Sequence, residues 1–191
     1  MNLDELIYIS KNQLSKDFCD HCIEKFEQYK EYQLPGQTAN GLDDMKISTD
    51  MVISSVDWWK EEDNIFFESL SDNLECYTEF VPSKIKRFVM NGDPVDTGYQ
   101  LQRTRAGERY KWHHDQLETR HLTFIWYLND IKEDGYTEFR SGLKIQPECG
   151  KMLIFPALWP WVHRGFPPKS ETKYICTGWI KDDFISYSSY E

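Results

Sequence analysis

The sequence predicts a mainly β protein, a sandwich or barrel of short strands, supported by α-helices in its N-terminal half. Three observations predict this fold class. Apolar residues recur at three- and four-residue spacing only before Pro82, which is typical of amphipathic helices. After Pro82, short aromatic and β-branched runs alternate with turn residues almost to the last residue. These runs follow one another too closely for parallel βαβ units.

Length and composition predict one folded domain. The chain has 191 residues, and no Pro/Gly/Ser-rich or low-complexity linker divides it. Hydrophobic residues make up 40% and aromatic residues 15% of the chain, which excludes a disordered protein. We expect a single domain over residues 1–191, with helical support in 1–85, a β core in 86–182 and a tail in 183–191.

Charge and cysteine content restrict the expected binding partners and the expected cellular compartment. A formal net charge of -10 disfavours nucleic-acid binding, because non-specific affinity for phosphates comes largely from Lys and Arg. No apolar run approaches the roughly 20 residues needed to cross a bilayer, and the acidic N-terminal stretch does not resemble a secretory signal. The five cysteines lack framework spacing and suit reduced thiols. We expect a cytoplasmic protein that binds neither membranes nor nucleic acids.

The N-terminal half contains two predicted helices. The first begins after Ser15, a favourable N-cap residue, and the second extends from Asp57 to about Phe80. Between them, Gly, Asn and Asp are frequent in residues 33–44, which predicts a loop. Residues 46–54 predict a short strand. The sequence leaves open whether the loop closes over a site.

The second half contains seven predicted strands, each a short aromatic or β-branched run bounded by turn residues. They are Gly98 to Arg103, Lys111 to Asp115, His121 to Leu128, Lys144 to Ile145, Met152 to Phe155, Val162 to Arg164 and Lys173 to Ile180.

The stretch from Tyr110 to Asp115 contains candidate metal ligands. On an extended strand His113 and Asp115 share one face, while His114 points the other way. An imidazole and a carboxylate placed in this way can occupy adjacent corners of a metal's coordination shell. His163, in an aromatic-rich stretch further along, is the candidate third ligand. Two histidines and one carboxylate with open positions form the facial triad of non-haem iron(II) oxygenases.

A site for a dicarboxylate is predicted beside this triad. On an extended strand, Lys173 and Thr177 share one face, which places an ammonium and a hydroxyl along a single wall. Thr123 and Tyr127 likewise share one face of the strand His121 to Leu128 and offer two more hydroxyls. A co-substrate with two carboxylates could use these groups.

These segments together resemble the 2-oxoglutarate/iron(II) dioxygenase superfamily and, within it, the prolyl 4-hydroxylase-like branch. The resemblance covers roughly Gln100 to Ile180. It implies a double-stranded β-helix, the jelly roll of cupin-like proteins, with a metal in its open mouth and the N-terminal helices packed outside. The segments that carry it are Gly107 and Tyr110 ahead of His113-His114-Asp115, Tyr127 to Asp130, Gly135 to Phe139, Gly150 to Pro156, His163 and Lys173-Tyr174.

The resemblance also implies roles for single residues. The iron ligands that it implies are His113, Asp115 and His163. Lys173 matches the basic residue that pairs with the distal carboxylate of 2-oxoglutarate, and Thr177 and Tyr127 match hydroxyls that assist it. Two positions depart from the branch. Thr104 stands where a tyrosine usually begins a Y-x-x-G stretch, and Tyr136 replaces the second glycine of a Gly-Gly-x-Thr turn.

The implied activity is that of an Fe(II)- and 2-oxoglutarate-dependent dioxygenase that uses O2, with ascorbate as reductant. It would hydroxylate a prolyl residue in a peptide or protein and convert 2-oxoglutarate to succinate and CO2. The alternative is the same chemistry on a free amino acid or another small molecule. A non-catalytic cupin-like binding module is disfavoured, because such a module has no use for a dicarboxylate anchor such as Lys173.

Several further side chains have competing interpretations. Candidate substrate contacts are Tyr110, Trp112, Arg164 and Trp179. Plain packing explains Trp112 equally well. His114 and His121 are interpreted as ordinary surface or core residues. The stretch Cys19-Asp20-His21-Cys22 lacks the second ligand pair that structural zinc usually needs, so its cysteines are predicted to pack on an apolar helix face.

Overall fold

The computed structural model describes residues 2–83, 86, 94–117 and 119–182. The predicted tail 183–191 and the predicted boundary after residue 85 lie outside the described residues. The two α-helices are α1 (Lys16–Gln28) and α2 (Lys60–Phe80). The strands are β1 (Tyr8–Ser10), β2 (Leu34–Pro35), β3 (Lys46–Ile47), β4 (Thr49–Val52), β5 (Pro94–Asp96), β6 (Gln100–Thr104), β7 (Arg109–His113), β8 (Arg120–Tyr127), β9 (Thr137–Phe139), β10 (Lys144–Ile145), β11 (Met152–Pro156), β12 (His163–Gly165) and β13 (Lys173–Asp182). Short 3-10 turns lie at Leu3–Leu6, Lys30–Tyr32, Asp57–Trp59 and Trp159–Trp161.

The strands form two antiparallel sheets. The larger sheet has the order β1-β11-β8-β13-β6-β4-β2, with β5 beside β13, and the smaller sheet has the order β10-β9-β12-β7-β3. From β6 to β13 the chain passes back and forth between the sheets, which is the winding of a double-stranded β-helix. The predicted fold class, a jelly roll with supporting helices, is confirmed.

The inner faces of the two sheets pack on each other. Phe139 of the smaller sheet meets Phe155 of the larger sheet edge to face, with ring centroids 5.0 Å apart. The Tyr127 hydroxyl donates to Thr137 Oγ1 across the same gap at 2.6 Å. Apolar packing fills this part of the gap, and polar side chains line the rest.

The helices cover the outer face of the larger sheet. Phe66 of α2 lies 5.3 Å from the ring of Trp126 on β8, and the Trp126 indole donates to Ser69 Oγ at 3.1 Å. α1 buries Cys22 and Phe26, and the Ser15 side chain accepts from the Phe18 amide as an N-cap. Both predicted helices are therefore confirmed. Among the described residues, no helix has the length and apolarity needed to cross a membrane.

The N-terminal half also contributes strands that the sequence did not predict correctly. The predicted strand 46–54 is two strands, because β3 joins the smaller sheet and β4 joins the larger sheet. β1 and β2 of this half were not predicted, nor were β5 and β9 of the β core. These strands are two or three residues long, too short for a periodic pattern, and the partner strand determines where they form.

Gly150 connects the N-terminal segment to the β core. It has a φ of +74°, and its carbonyl accepts from the Gln13 amide at 2.8 Å. A Cβ at this position would lie 2.3 Å from the Leu14 carbonyl oxygen. Gly142 has a similar positive φ of +97°, but a Cβ there would meet nothing within 4 Å.

We predict that Gly150→Ala destabilises the fold more than Gly142→Ala does. Both substitutions place a side chain in the left-handed region, at a cost of about 1–2 kcal/mol. Gly150→Ala adds overpacking against the Leu14 backbone, which costs roughly 1–3 kcal/mol more. Urea denaturation at an unchanged m-value measures both free energies of unfolding. Equal losses in the two variants would contradict the close approach at Gly150.

Candidate metal centre and co-substrate pocket

Three side chains converge between the sheets, in the part of the gap that polar side chains line. His113 ends β7, His163 begins β12, and the two residues are direct partners across the antiparallel pair. Asp115 follows two residues after His113. Its carboxylate oxygens lie 3.6 Å from His113 Nε2 and 3.5 Å from His163 Nε2. The ligand atoms of all three residues lie within 4.8 Å of one another, so the predicted convergence is observed.

Hydrogen bonds fix how the two histidines face Asp115. His113 Nδ1 donates to the Lys111 carbonyl at 2.8 Å, and His163 Nδ1 donates to the Trp161 carbonyl at 3.0 Å. Because a carbonyl only accepts, the proton is on Nδ1 and the lone pair is on Nε2, which faces Asp115. Outer hydrogen bonds of this kind orient metal-binding histidines.

Charge and burial give His113 and Asp115 the protonation states of metal ligands. Burial, with the neighbouring His163, lowers the pKa of His113 to about 3. Burial acts to raise the pKa of Asp115, but the two imidazoles and the Thr123 hydrogen bond outweigh it and lower the pKa. At neutral pH His113 is therefore a neutral imidazole donor and Asp115 is a carboxylate anion. Two nitrogens and one oxygen on one side fit iron(II) and suit calcium or magnesium poorly.

Aromatic rings restrain the two histidines. The Tyr110 ring stacks on His113 with centroids 3.4 Å apart and planes 12° apart. Phe155 and Phe139 lie 4.9 Å and 5.7 Å from the His163 ring. These three rings hold both imidazoles against rotation, and the two buried phenylalanines exclude water from the back of His163.

A cavity of about 450 Å³ opens in front of the three residues, with walls from both sheets. Lys173 lies in its wall and is only 4% exposed. Its Nζ donates to the Gly135 carbonyl at 3.0 Å, and within the described ranges no carboxylate lies at ion-pair distance from it. Burial lowers the pKa of Lys173 to about 8. A buried ammonium without a counter-ion, facing a cavity, fits the distal carboxylate of 2-oxoglutarate.

The predicted hydroxyl residues have different surroundings. Thr177 lines the cavity and donates to the Phe124 carbonyl at 2.7 Å. Thr123 also lines it, but its hydroxyl donates to Asp115 at 2.7 Å and so orients a candidate metal ligand. The Tyr127 hydroxyl donates to Thr137. Thr137 lines the cavity, whereas Tyr127 lies behind it. Thr137 was missed, although it belongs to the Gly135 to Phe139 stretch of the resemblance.

The four candidate substrate contacts separate into two pairs. Tyr110 and Trp179 line the cavity. Trp112 and Arg164 instead face the outer side of the smaller sheet, where the Arg164 guanidinium lies 4.6 Å from the Trp112 ring and donates to Glu138 at 2.6 Å. They border a separate depression of about 320 Å³. Each is the sequence neighbour of an inward-facing histidine, and strand alternation turns it outward. Contact of these two residues with a substrate stays a prediction.

The cavity residues of the N-terminal half were not predicted from the sequence. Lys46 and Ser48 come from the β3–β4 region, and Gln37, Thr38 and Ala39 belong to the predicted loop. On the β core, the cavity also includes Gln100, Gln102, Thr104, Arg109 and Arg120. These residues meet through strand pairing between distant segments, which no local pattern reports.

Comparison with known proteins identifies what the chain is similar to. The family described as the 2OG-Fe(II) oxygenase superfamily matches residues 99–181. A curated relative, probable prolyl 4-hydroxylase 9 of Arabidopsis thaliana, is 26% identical over 148 residues, which is 61% of this chain and 51% of the relative. The chain therefore spans about half the length of that relative.

Solved structures share the fold at low sequence identity. The viral collagen prolyl hydroxylase vCPH of Paramecium Bursaria Chlorella virus-1, in its 2OG complex, is 20% identical with a TM-score of 0.69, covering 93% of this chain and 97% of that one. A Trichoplax adhaerens prolyl hydroxylase, in complex with a hypoxia inducible factor peptide fragment, is 17% identical with a TM-score of 0.72, covering 93% and 84%. A Pseudomonas putida prolyl-4-hydroxylase is 15% identical with a TM-score of 0.67, covering 95% and 97%.

We predict that His163→Ala abolishes binding of iron(II) or its redox-inert substitute manganese(II), because only two of three donors remain. His114→Ala is the matched control, since His114 is exposed and outside the cluster. Anaerobic titration calorimetry measures both affinities, and circular dichroism checks that both variants fold. Undiminished metal binding by His163→Ala would refute the ligand assignment.

Proposed function

We propose that this chain is a prolyl 4-hydroxylase-like dioxygenase of the 2OG-Fe(II) oxygenase superfamily and that it hydroxylates a prolyl residue in a peptide or protein. The observation that carries the proposal is the convergence of His113, Asp115 and His163 beside the buried ammonium of Lys173. A protein that only stores or senses a metal needs no such ammonium.

The chain's own residues have distinct tasks in this reaction. Bound iron(II), 2-oxoglutarate and O2 supply the oxidation, in which 2-oxoglutarate becomes succinate and CO2 and one oxygen atom enters a substrate C–H bond. His113, Asp115 and His163 would hold the metal, and Lys173 would pair with the far carboxylate of the co-substrate. Thr123 keeps the Asp115 carboxylate oriented. The rings of Phe139 and Phe155 exclude water behind His163, and the Tyr110 ring, which lines the cavity, restrains His113.

The prolyl substrate is supported by the relatives. The curated relative and the three solved structures named above carry prolyl hydroxylase or prolyl 4-hydroxylase in their names, and one was solved with a peptide. Ascorbate as reductant and a cytoplasmic location stay predictions from the sequence.

We predict that the affinity for 2-oxoglutarate falls as pH rises above about 8. The free protein's Lys173 has a pKa lowered to about 8 by burial, and only its protonated form pairs with the carboxylate. The affinity is therefore full below that pKa and is lost above it, by about tenfold per pH unit. Lys173→Arg stays charged and should remove this pH dependence, whereas Lys173→Met should be weak at every pH. Titration of 2-oxoglutarate into the manganese(II) form measures the three profiles.

We predict that a proline-containing peptide stimulates succinate formation and gains one oxygen atom, both dependent on iron(II) and 2-oxoglutarate. Mass spectrometry locates the oxygen, and the same peptide with Pro→Ala is the control. Free proline and other amino acids are tested in parallel, because a small-molecule oxygenase would use them and ignore the peptide. Peptide hydroxylation that persists in His163→Ala would contradict the proposed site.

A further inference from the structure

One aromatic ring links the N-terminal half of the chain to a predicted metal ligand. The family match begins at residue 99, whereas Lys46 lies on β3 and Asp50 on β4. Lys46 is the cross-strand partner of Tyr110 on β7, and its Nζ lies over the Tyr110 ring, 5.4 Å from the centroid. The same ring stacks on the His113 imidazole with centroids 3.4 Å apart. Residues before the family-matched region therefore act on the metal cluster through Tyr110.

A buried ion pair holds Lys46 in this position. Its Nζ lies 2.6 Å from Asp50 Oδ2, and both side chains are 5% exposed. Ser48 Oγ donates to the other Asp50 oxygen at 2.7 Å. Because both carboxylate oxygens have partners, the carboxylate is held against rotation, and the ammonium is fixed with it.

Tight packing prevents the ion pair from moving away from the ring. A Cβ at Gly36 would lie 2.1 Å from Ser48 Oγ, 3.2 Å from Lys46 Cε and 3.3 Å from Asp50 Oδ2. The Gly36 amide donates to the Ser48 carbonyl at 2.9 Å, which keeps the two segments together. We call Gly36, Lys46, Ser48 and Asp50 the clamp.

The ion pair of the clamp is better suited to positioning than to stability. Removing two charges from water costs about as much as their attraction returns, and buried pairs can often be replaced by apolar residues without loss. A buried pair can instead select one arrangement of the side chains around it. The face of a tyrosine ring attracts an ammonium, so a fixed Lys46 also restrains Tyr110.

His113 has more need of such a restraint than His163. The His163 imidazole packs against two buried phenylalanine rings. The His113 imidazole has its hydrogen bond to the Lys111 carbonyl and the stacked ring of Tyr110, which is half-buried and borders the open cavity. A ring in that place has room to swing away from the imidazole. The contact with Lys46 opposes this movement.

We propose that Lys46 and Asp50 are positioning residues of the metal centre, which hold the Tyr110 ring on His113 and so keep the imidazole in the orientation that binds the metal. The inference rests on the proposed function, which identifies His113 as a ligand. Outer contacts of metal-binding histidines typically change the metal affinity by roughly 10–100-fold. We therefore expect the affinity for the metal to depend on residues 46–50 as well as on the three ligands.

Metal affinity separates positioning from simple electrostatics. Lys46→Met removes a positive charge from the wall of the cavity that contains the cluster, so Coulomb's law alone predicts tighter binding of a divalent cation. Positioning predicts weaker binding. Lys46→Met/Asp50→Asn removes the ion pair without changing the net charge, and we expect it to bind manganese(II) about tenfold more weakly in anaerobic titration calorimetry. The visible absorption of the cobalt(II) form, which reports coordination geometry, should change with it.

A double-mutant cycle tests whether the Tyr110 ring transmits the effect. Tyr110→Leu alone should weaken manganese(II) binding to a similar extent. Adding Lys46→Met/Asp50→Asn to Tyr110→Leu should then have little further effect, because the ring on which the clamp acts is gone.

Lys144→Met is the matched control. Lys144 is exposed, and its Nζ lies 4.6 Å from the centroid of the Tyr136 ring, so the same kind of contact is removed outside the cavity. Its metal affinity and cobalt(II) spectrum should equal those of the wild type. If circular dichroism shows that Lys46→Met/Asp50→Asn does not fold, Ser48→Ala is the second variant. It keeps both charges, frees one Asp50 oxygen and should give a smaller loss of affinity in the same direction.

Several outcomes overturn the inference. These are an unchanged metal affinity and cobalt(II) spectrum in the folded clamp variant, tighter metal binding by it, an undiminished effect of the clamp substitutions in the Tyr110→Leu background, and an equal loss in Lys144→Met. A wild-type chain that binds no manganese(II) contradicts the proposed function and this inference together. Normal binding by the wild type and by the clamp variants contradicts this inference alone.

Discussion

The site depends on the register in which β12 pairs with β7. That register sets His163 opposite His113, and each imidazole donates to the carbonyl of the residue two positions before it, Trp161 or Lys111. A slip by one residue would turn one histidine to the outer face, where Trp112 and Arg164 now lie. The register shifts between His163 and Gly165, and the extra residue on β7 brings Tyr110 to the same side as His113.

The N-terminal half does more than support the β core. Its strands extend both sheets, and the Lys46–Asp50 pair joins β3 of the smaller sheet to β4 of the larger sheet at the cavity. Gly36 packs so tightly behind this pair that a Cβ would lie 2.1 Å from Ser48 Oγ. The metal cluster belongs to the β core alone, whereas part of the wall that a substrate would meet is built by residues 37–48.

The sequence could predict those features whose physical cause lies within one segment of the chain. The helices, β8, β11, β13 and the choice of His113 over His114 depend on periodicity within one segment, and these predictions agree with the structure. Edge strands such as β1 and the inward position of Thr137 depend on which partner strand is available. Local sequence has no information about that pairing. Trp112 shows the limit within one segment, because alternation would have placed it on the strand face opposite His113, away from the cavity.

Burial in the cavity leaves two charges that the protein itself does not fully compensate. The carboxylate of Asp115 lies between two imidazoles, and Lys173 has a backbone carbonyl as its described hydrogen-bond partner. Unpaired buried charges oppose folding. A divalent cation at the first and a carboxylate at the second remove that opposition, and ligands that bind only the folded state stabilise it. The charges that prepare the site for chemistry therefore couple its occupancy to the stability of the fold.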